Sequence, residues 1–408
     1  MNPLFAARTR EARRSVLREL LKLTEQPDII SFAGGLPDPD TFPREFLAKV
    51  AADEILNNHH KSLQYTTTEG KRPLREPIIA WLAEDGLHYT LDQLIITSAS
   101  QQGLDLVAKT FIDPGDAVFV GLPTYLGAIQ AFRAFQAHLV GIPLHDDGMD
   151  LDVLAVAIAR ARREGHPPKL IYVVPDFQNP SGITWSEEKR RGLLEIARRA
   201  DLVVVEDMPY RKLRFAGEPV PPVAALDEEG RVVVLFTFSK LLAAGLRLGA
   251  LAGARDIVEK VVIMKQATDL CTSSLTQRIA IRFLQEYDVK GHIRNLCHHY
   301  RVKRDAMIDA LNRYMPNEEG ISWTTPEGGL FLWVRLPEEV NTERMLERAL
   351  RHKVAYVIGA PFFVDGRGQN TMRLSFSSAT VDQIEEGIRR LSKVVKEELA
   401  SLRSPQRV

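Results

Sequence analysis

The sequence predicts an α/β protein with a large domain on a mainly parallel central sheet and a smaller α+β domain beside it; three observations carry that expectation. From about residue 45 onward, short β-branched runs alternate with helical stretches, the pattern of strands joined by helical crossovers. Several runs are bare of polar residues, as in Leu202-Val203-Val204-Val205, which burial on both faces requires. The texture then changes after a long helical stretch over about 256–315, beyond which short strands alternate with helices.

Taken in order, Leu17, Leu20 and Leu21 recur at helical spacing, with Thr24 and Glu25 as a polar edge before Pro27. This predicts an opening helix closed by a proline-containing loop. A Gly- and Pro-rich loop follows over 34–43. Strands of the large domain are predicted at 94–97, 117–121, 170–174, 202–205, 232–237 and 250–253, and those of the small domain at 329–334 and 372–376. The expected division is 1–44 as an N-terminal helix and loop belonging to the small domain, 45–295 as the large domain, and 296–408 as the rest of the small one. No repeat, low-complexity tract or added N-terminal domain is expected.

The composition narrows the function classes. The 408 residues are 45% hydrophobic, enough for two substantial cores, and 53 basic residues balance 53 acidic ones. Without a net field, nucleic acid and anionic membranes are not expected partners, and small solutes are. Cys271 and Cys297 make no disulfide framework and have no metal-ligand spacing, so no metal is expected. No apolar run of membrane-spanning length and no signal sequence is read, and Glu11 and Glu19 argue against an organelle presequence. A cytoplasmic location is the expectation.

The residues that carry chemistry stand at predicted strand ends, where ligands of open α/β sheets gather. The strand at 232–237 ends in Thr237 and runs into Phe238-Ser239-Lys240 and then Arg247. An amine there can form a Schiff base with an aldehyde cofactor, although an isolated Ser-Lys pair reads first as a snorkelling surface lysine. The strand at 202–205 delivers Glu206-Asp207 and then Tyr210. A carboxylate so placed can pair with a protonated pyridine nitrogen, and Asp207 is the choice, with a turn or cap as its plainer reading. The strand at 170–174 leads to Gln178-Asn179-Pro180-Ser181-Gly182, by itself only a turn signal. Past the strand at 94–97, Ser98-Ala99-Ser100 opens a helix whose first amides suit a phosphate, unless Ser100 merely caps it. Ser239, Thr237 and Arg247 could complete that phosphate site.

These residues together resemble the fold-type I, class I/II aminotransferases, over about 30–394. The motifs stand in the family's order: Ser100-Gln101, Pro123-Thr124-Tyr125, Gln178-Asn179-Pro180-Ser181-Gly182, Asp207 with Tyr210, Ser239-Lys240, Arg247, and Arg373 in Met372-Arg373-Leu374. The resemblance implies pyridoxal 5′-phosphate as cofactor, held by Lys240, which also shuttles a proton. It implies that Asp207 pairs with the ring nitrogen, that Tyr210 and Asn179 tune the ring oxygen, and that Tyr125 stacks on the ring. It also implies that Ser100, Gln101, Thr237, Ser239 and Arg247 bind the cofactor. Tyr65, in Gln64-Tyr65-Thr66, resembles the tyrosine that reaches the neighbouring subunit's cofactor, which implies a homodimer. Arg373 would grip the substrate α-carboxylate. The stretches Ser15 to Thr24 and Ser31-Phe32-Ala33-Gly34-Gly35-Leu36-Pro37 are most similar to the 2-aminoadipate aminotransferases. In that branch Arg18 binds a distal carboxylate with Ser15 beside it, and Gly35 lies near the substrate.

The expected reaction is therefore transfer of an amino group from an α-amino acid, such as 2-aminoadipate or glutamate, to a 2-oxo acid by a ping-pong mechanism. The family usually has Gly at Ala99, an acidic residue at Gly121, and Pro at Ala244 and Ile358. Since the protein decides which bond to Cα breaks, a biosynthetic enzyme of the same fold catalysing elimination, cyclisation or oxidation is the alternative. A transcription regulator with an aminotransferase-like domain is disfavoured by the balanced charge.

Overall fold

The computed structural model describes residues 4–9 and 28–403, so the helix expected around Leu17 to Leu21 lies outside the described residues. In chain order the strands are β1 (Ile30–Ser31), β2 (Leu94–Thr97), β3 (Ala117–Leu122), β4 (His138–His145), β5 (Gly148–Met149), β6 (Pro168–Val173) and β7 (Val203–Asp207). They continue with β8 (Val232–Thr237), β9 (Gly249–Ala252), β10 (Ser322–Trp323), β11 (Phe331–Arg335), β12 (Val354–Ala355), β13 (Val357–Ile358) and β14 (Thr371–Ser375).

The central sheet has the order β2-β9-β8-β7-β6-β3-β4-β5. Its strands from β8 to β4 run parallel, while β9 is antiparallel to both of its neighbours. Burial on both faces explains the bare apolar runs: alternate residues enter different cores. Ile96, Phe119, Ile171, Val204 and Val234 face one, and Ile95, Val118, Leu170, Val205 and Val233 face the other. Chain order reverses around β3, which lies between β4 and β6. That is the switch point of an open parallel sheet, and the chain ends leaving β3, β6, β7 and β8 open there side by side.

A four-stranded sheet, β10-β11-β14-β13, stands apart from the central one, and β1 pairs in parallel with β12 through Ile30 and Val354. The expected stretch over 256–315 is three helices, Arg255–Gln266, Ser274–Glu286 and Val289–Tyr314. Local capping divides it: Ser273 accepts from the Thr276 amide and Asp288 from the Gly291 amide, each starting a new helix. Position 295 falls inside the last of these helices. The strand near 329 starts later than expected, at Phe331, because Gly329 turns with φ +71. No helix of the described residues is long and apolar enough to cross a membrane.

Candidate active site

A cavity of about 570 Å³ opens at these strand ends and is lined from both sheets. Lys240 stands in a helical turn, Ser239–Ala243, directly beyond β8. Its amine donates to the Gly35 carbonyl at 2.8 Å. Burial, and then the guanidinium groups of Arg373 and Arg247, lower its pKa to about 8. A proton can therefore be lost from this Nζ near neutral pH.

Asp207 ends β7, and strand alternation separates it from Glu206. Glu206 points the other way, its two oxygens taken by the amides of Val223 and Ala224. Asp207 lines the cavity and accepts from the Tyr172 hydroxyl at 2.9 Å through Oδ2, while its Oδ1 is buried without a hydrogen-bond partner. Burial pushes its carboxyl up to about 7, against the pull of the Tyr172 hydrogen bond. A buried, bare carboxylate oxygen calls for a donor that the described residues do not supply.

Arg373, on β14, is 1% exposed. It donates to Asn179 Oδ1 at 2.9 Å and to the Ala33 carbonyl at 2.9 Å, and its Nε has no partner. Its guanidinium lies 4.2 Å from the Phe331 ring centroid and 5.5 Å from that of Phe362. Burial lowers its pKa to about 10, and no carboxylate of the described residues pairs with it. Such a cation is costly unless an anion arrives. Gly35 leaves that approach open, because a Cβ there would meet the Phe331 ring at 3.3 Å and Arg373 Nη2 at 3.4 Å.

The helix after β2 begins at Ala99, earlier than expected, with Ser98 at the cap position and no side-chain cap. Ser100 is thus a first-turn residue and not the cap. The Ser98 amide is held by Gln102 at 2.7 Å, and Gln101 donates to the Gly127 carbonyl at 3.0 Å. Ala99 adopts φ +63. A left-handed alanine costs about 1 kcal/mol. Ala99→Gly is accordingly expected to raise the melting temperature by one to a few degrees, roughly, which calorimetry checks. At Gly121 the missing side chain makes room for Leu144, whose Cδ1 would stand 2.9 Å from a Cβ.

The two shifted groups give the cofactor-free protein an unusual pH dependence. Asp207 has a folded pKa raised to about 7, so the folded state binds more protons than the unfolded one between about pH 4 and pH 7, and stability falls as pH rises through that window. Lys240 has a folded pKa lowered to about 8, so the folded state binds fewer protons up to about pH 10, and stability rises again. The melting temperature is expected to pass through a trough between pH 7 and 8. Asp207→Asn should flatten its acid limb and Lys240→Ala its alkaline one.

The cavity brings together Ser100, Gln101, Tyr125, Asn179, Asp207, Tyr210, Thr237, Ser239, Lys240, Arg247, Arg373 and Gly35 from the sequence-derived set. Burial raises the phenol pKa values of Tyr125 and Tyr210. Thr237 and Ser239 share a hydroxyl hydrogen bond at 2.9 Å, and exposed Arg247 sits at φ +49. Tyr65 does not line this cavity and is 78% exposed. Ser15 and Arg18 lie outside the described residues. Sequence reasoning missed Tyr172, Phe331 and Phe362. Their only sequence signal is an aromatic ring in or near a strand, which core packing explains as well. Among the described residues no group of His, Cys, Asp and Glu could hold a metal ion.

Residues 27–391 match the model of the family described as aminotransferase class I and II. The aromatic-amino-acid aminotransferase 1 of Thermococcus litoralis is 44% identical over 97% of this chain and 94% of its own length. The 2-aminoadipate transaminase of Thermus thermophilus is 40% identical over 95% of each. Among solved structures, a kynurenine aminotransferase of Pyrococcus horikoshii in complex with PMP and kynurenine superposes with a TM-score of 0.92 at 45% identity, covering 97% of this chain and 98% of that one.

Proposed function

The chain belongs to the class I and II aminotransferases, and from that premise we propose that it moves the amino group of an acidic or aromatic α-amino acid, 2-aminoadipate and glutamate among them, to a 2-oxo acid. It is a fold-type I enzyme and its cofactor is pyridoxal 5′-phosphate. The residues present fit that group: a cavity of about 570 Å³ holds an amine of lowered pKa, a bare buried carboxylate oxygen and a first helical turn at a strand end. When bound, the cofactor supplies an aldehyde for the amino group and an electron sink for the charge left on Cα.

In this reading Lys240 would hold the cofactor's aldehyde carbon, and its Nζ would carry the proton taken from the substrate Cα. Asp207 would hold the ring nitrogen through its bare Oδ1, and Tyr210 and Asn179 would hold the ring oxygen. Tyr125, which lines the cavity, would stack on the ring. Ser100, Gln101, Thr237, Ser239 and Arg247 hold the phosphate. Arg373 orients the substrate by its α-carboxylate, beside Gly35. Ser15 and Arg18 serve the distal end.

The observation that carries the proposal is the pairing of Lys240 with Arg373. Arg373 donates to the Ala33 carbonyl and Lys240 to the Gly35 carbonyl, so a base and a carboxylate receptor are held two residues apart on one segment. An α-amino acid places its amine and carboxylate on one carbon, which suits that separation.

A homodimer is proposed on the exposure of Tyr65 with Leu63 and Leu56, at 78%, 60% and 73%, a face that a second copy would cover. The division into 1–44, 45–295 and 296–408 and a cytoplasmic location are proposed as well. The experiment is a panel of amino donors, each with 2-oxoglutarate or another 2-oxo acid, followed by mass spectrometry of both products. The proposal expects matched oxo acid and new amino acid. Eliminated, cyclised or oxidised products in their place would favour the other chemistry of this fold.

A further inference from the structure

We infer that Tyr172 is a positioning residue that acts through Asp207 to select the protonated form of the cofactor's ring nitrogen. The inference rests on the reading that Asp207 faces that nitrogen.

Tyr172 lies inside β6 and is 1% exposed, with its ring edge-on to Phe132 at 5.7 Å between centroids. Its hydroxyl reaches across to the end of β7 and donates to Asp207 Oδ2 at 2.9 Å. Burial and the neighbouring carboxylate push its phenol pKa well above the ordinary value, so the hydroxyl keeps its proton and remains a donor. One Asp207 oxygen is thereby satisfied from within the protein, and Oδ1 alone is left bare. Both side chains line the cavity.

That arrangement decides between two ways of pairing a carboxyl group with a pyridine. An ionised carboxylate accepts from a protonated ring nitrogen, whereas a neutral carboxyl donates to an unprotonated one and leaves the ring uncharged. Burial alone drives Asp207 toward the neutral form, and the Tyr172 hydroxyl is the hydrogen bond that opposes it. The other titratable groups around the pair are Tyr125, Tyr210 and Arg373, and Glu206 faces away onto the Val223 and Ala224 amides. Removing the Tyr172 hydroxyl leaves Oδ2 buried and bare as well, which favours the neutral carboxyl and weakens selection for a nitrogen at that place.

The test measures dissociation constants for two ligands on the cofactor-free full chain at pH 8: pyridoxal 5′-phosphate, and its benzene analogue with C–H in place of the ring nitrogen. The ratio of the two isolates the contribution of that nitrogen and needs no turnover. Tyr172→Phe keeps the ring and its contact with Phe132, and the inference predicts a ratio lowered roughly tenfold, the size of a hydrogen bond to a buried charge. Site-specific 3-fluorotyrosine at position 172, a near-isosteric and stronger donor, should move the ratio the other way, and it keeps the test open if Tyr172→Phe folds poorly. Asp207→Asn is the reference. If Asp207→Asn collapses the ratio and neither change at 172 moves it, the inference fails while the reading of Asp207 stands. If Asp207→Asn leaves the ratio intact, the reading of Asp207 fails and the inference with it.

Discussion

Lys240→Ala is expected to lower turnover by about 10³- to 10⁴-fold or more, the size of a lost acid–base catalyst, while cofactor-free protein still melts cooperatively. Among the described residues that line the cavity, Lys240 has the one amine that could hold the cofactor's aldehyde carbon and return a proton, and its pKa of about 8 makes it a working base near neutrality. In the cofactor-free protein the amine's bond to the Gly35 carbonyl is offset by the cost of burying its charge, so its loss does not unfold the chain. Rapid kinetics with a good donor measures the loss. Borohydride reduction of the loaded wild-type protein, followed by peptide mapping, should place a pyridoxyl group on Lys240. A variant that kept a tenth of the wild-type rate would remove Lys240 from the chemistry.

The second large effect is expected at Arg373. Arg373→Met removes a buried guanidinium that the described residues leave without a carboxylate, and kcat/KM for amino acids should fall by roughly 10²- to 10³-fold, as when one partner of a buried charge pair is truncated. Affinity for pyridoxal 5′-phosphate should fall much less, since Arg373 reaches the cofactor's place only through its bond to Asn179 and otherwise meets Ala33 and two phenylalanine rings. The discriminating measurement compares an amino acid with the amine that lacks its carboxylate. Wild-type protein should prefer the amino acid strongly, and the variant should lose that preference. An undiminished preference would assign carboxylate recognition elsewhere, with Arg18 as the first candidate.

Much of this architecture was legible in the chain because burial on both faces forces bare apolar strands, and such strands announce their own ends. Lys240, Asp207, Asn179 and Tyr125 each stand at or just past the end of such a run, so their shared place at the carboxyl ends of the strands could be read from the sequence. What stayed hidden depends on contacts between distant segments. Tyr172 sits inside β6 and looks like any strand aromatic until Asp207, 35 positions later, is brought beside it. The cradle of Arg373 joins Ala33, Asn179, Phe331 and Phe362 from four separate segments. No periodicity within one element encodes that meeting. Helix ends were read less well for a local reason: Ser273 and Asp288 are effective caps inside an otherwise continuous helical pattern, and Ala99 takes a backbone conformation that its residue type does not suggest.

The most direct test of the whole account is a single half-reaction on the purified, cofactor-loaded protein with a ¹⁵N-labelled amino donor and no 2-oxo acid acceptor. The account predicts one equivalent of 2-oxo acid per Lys240 site, with the label retained on the cofactor, and no further product until an acceptor is added. Release of the label as ammonia, or continued formation of product without an acceptor, would contradict it.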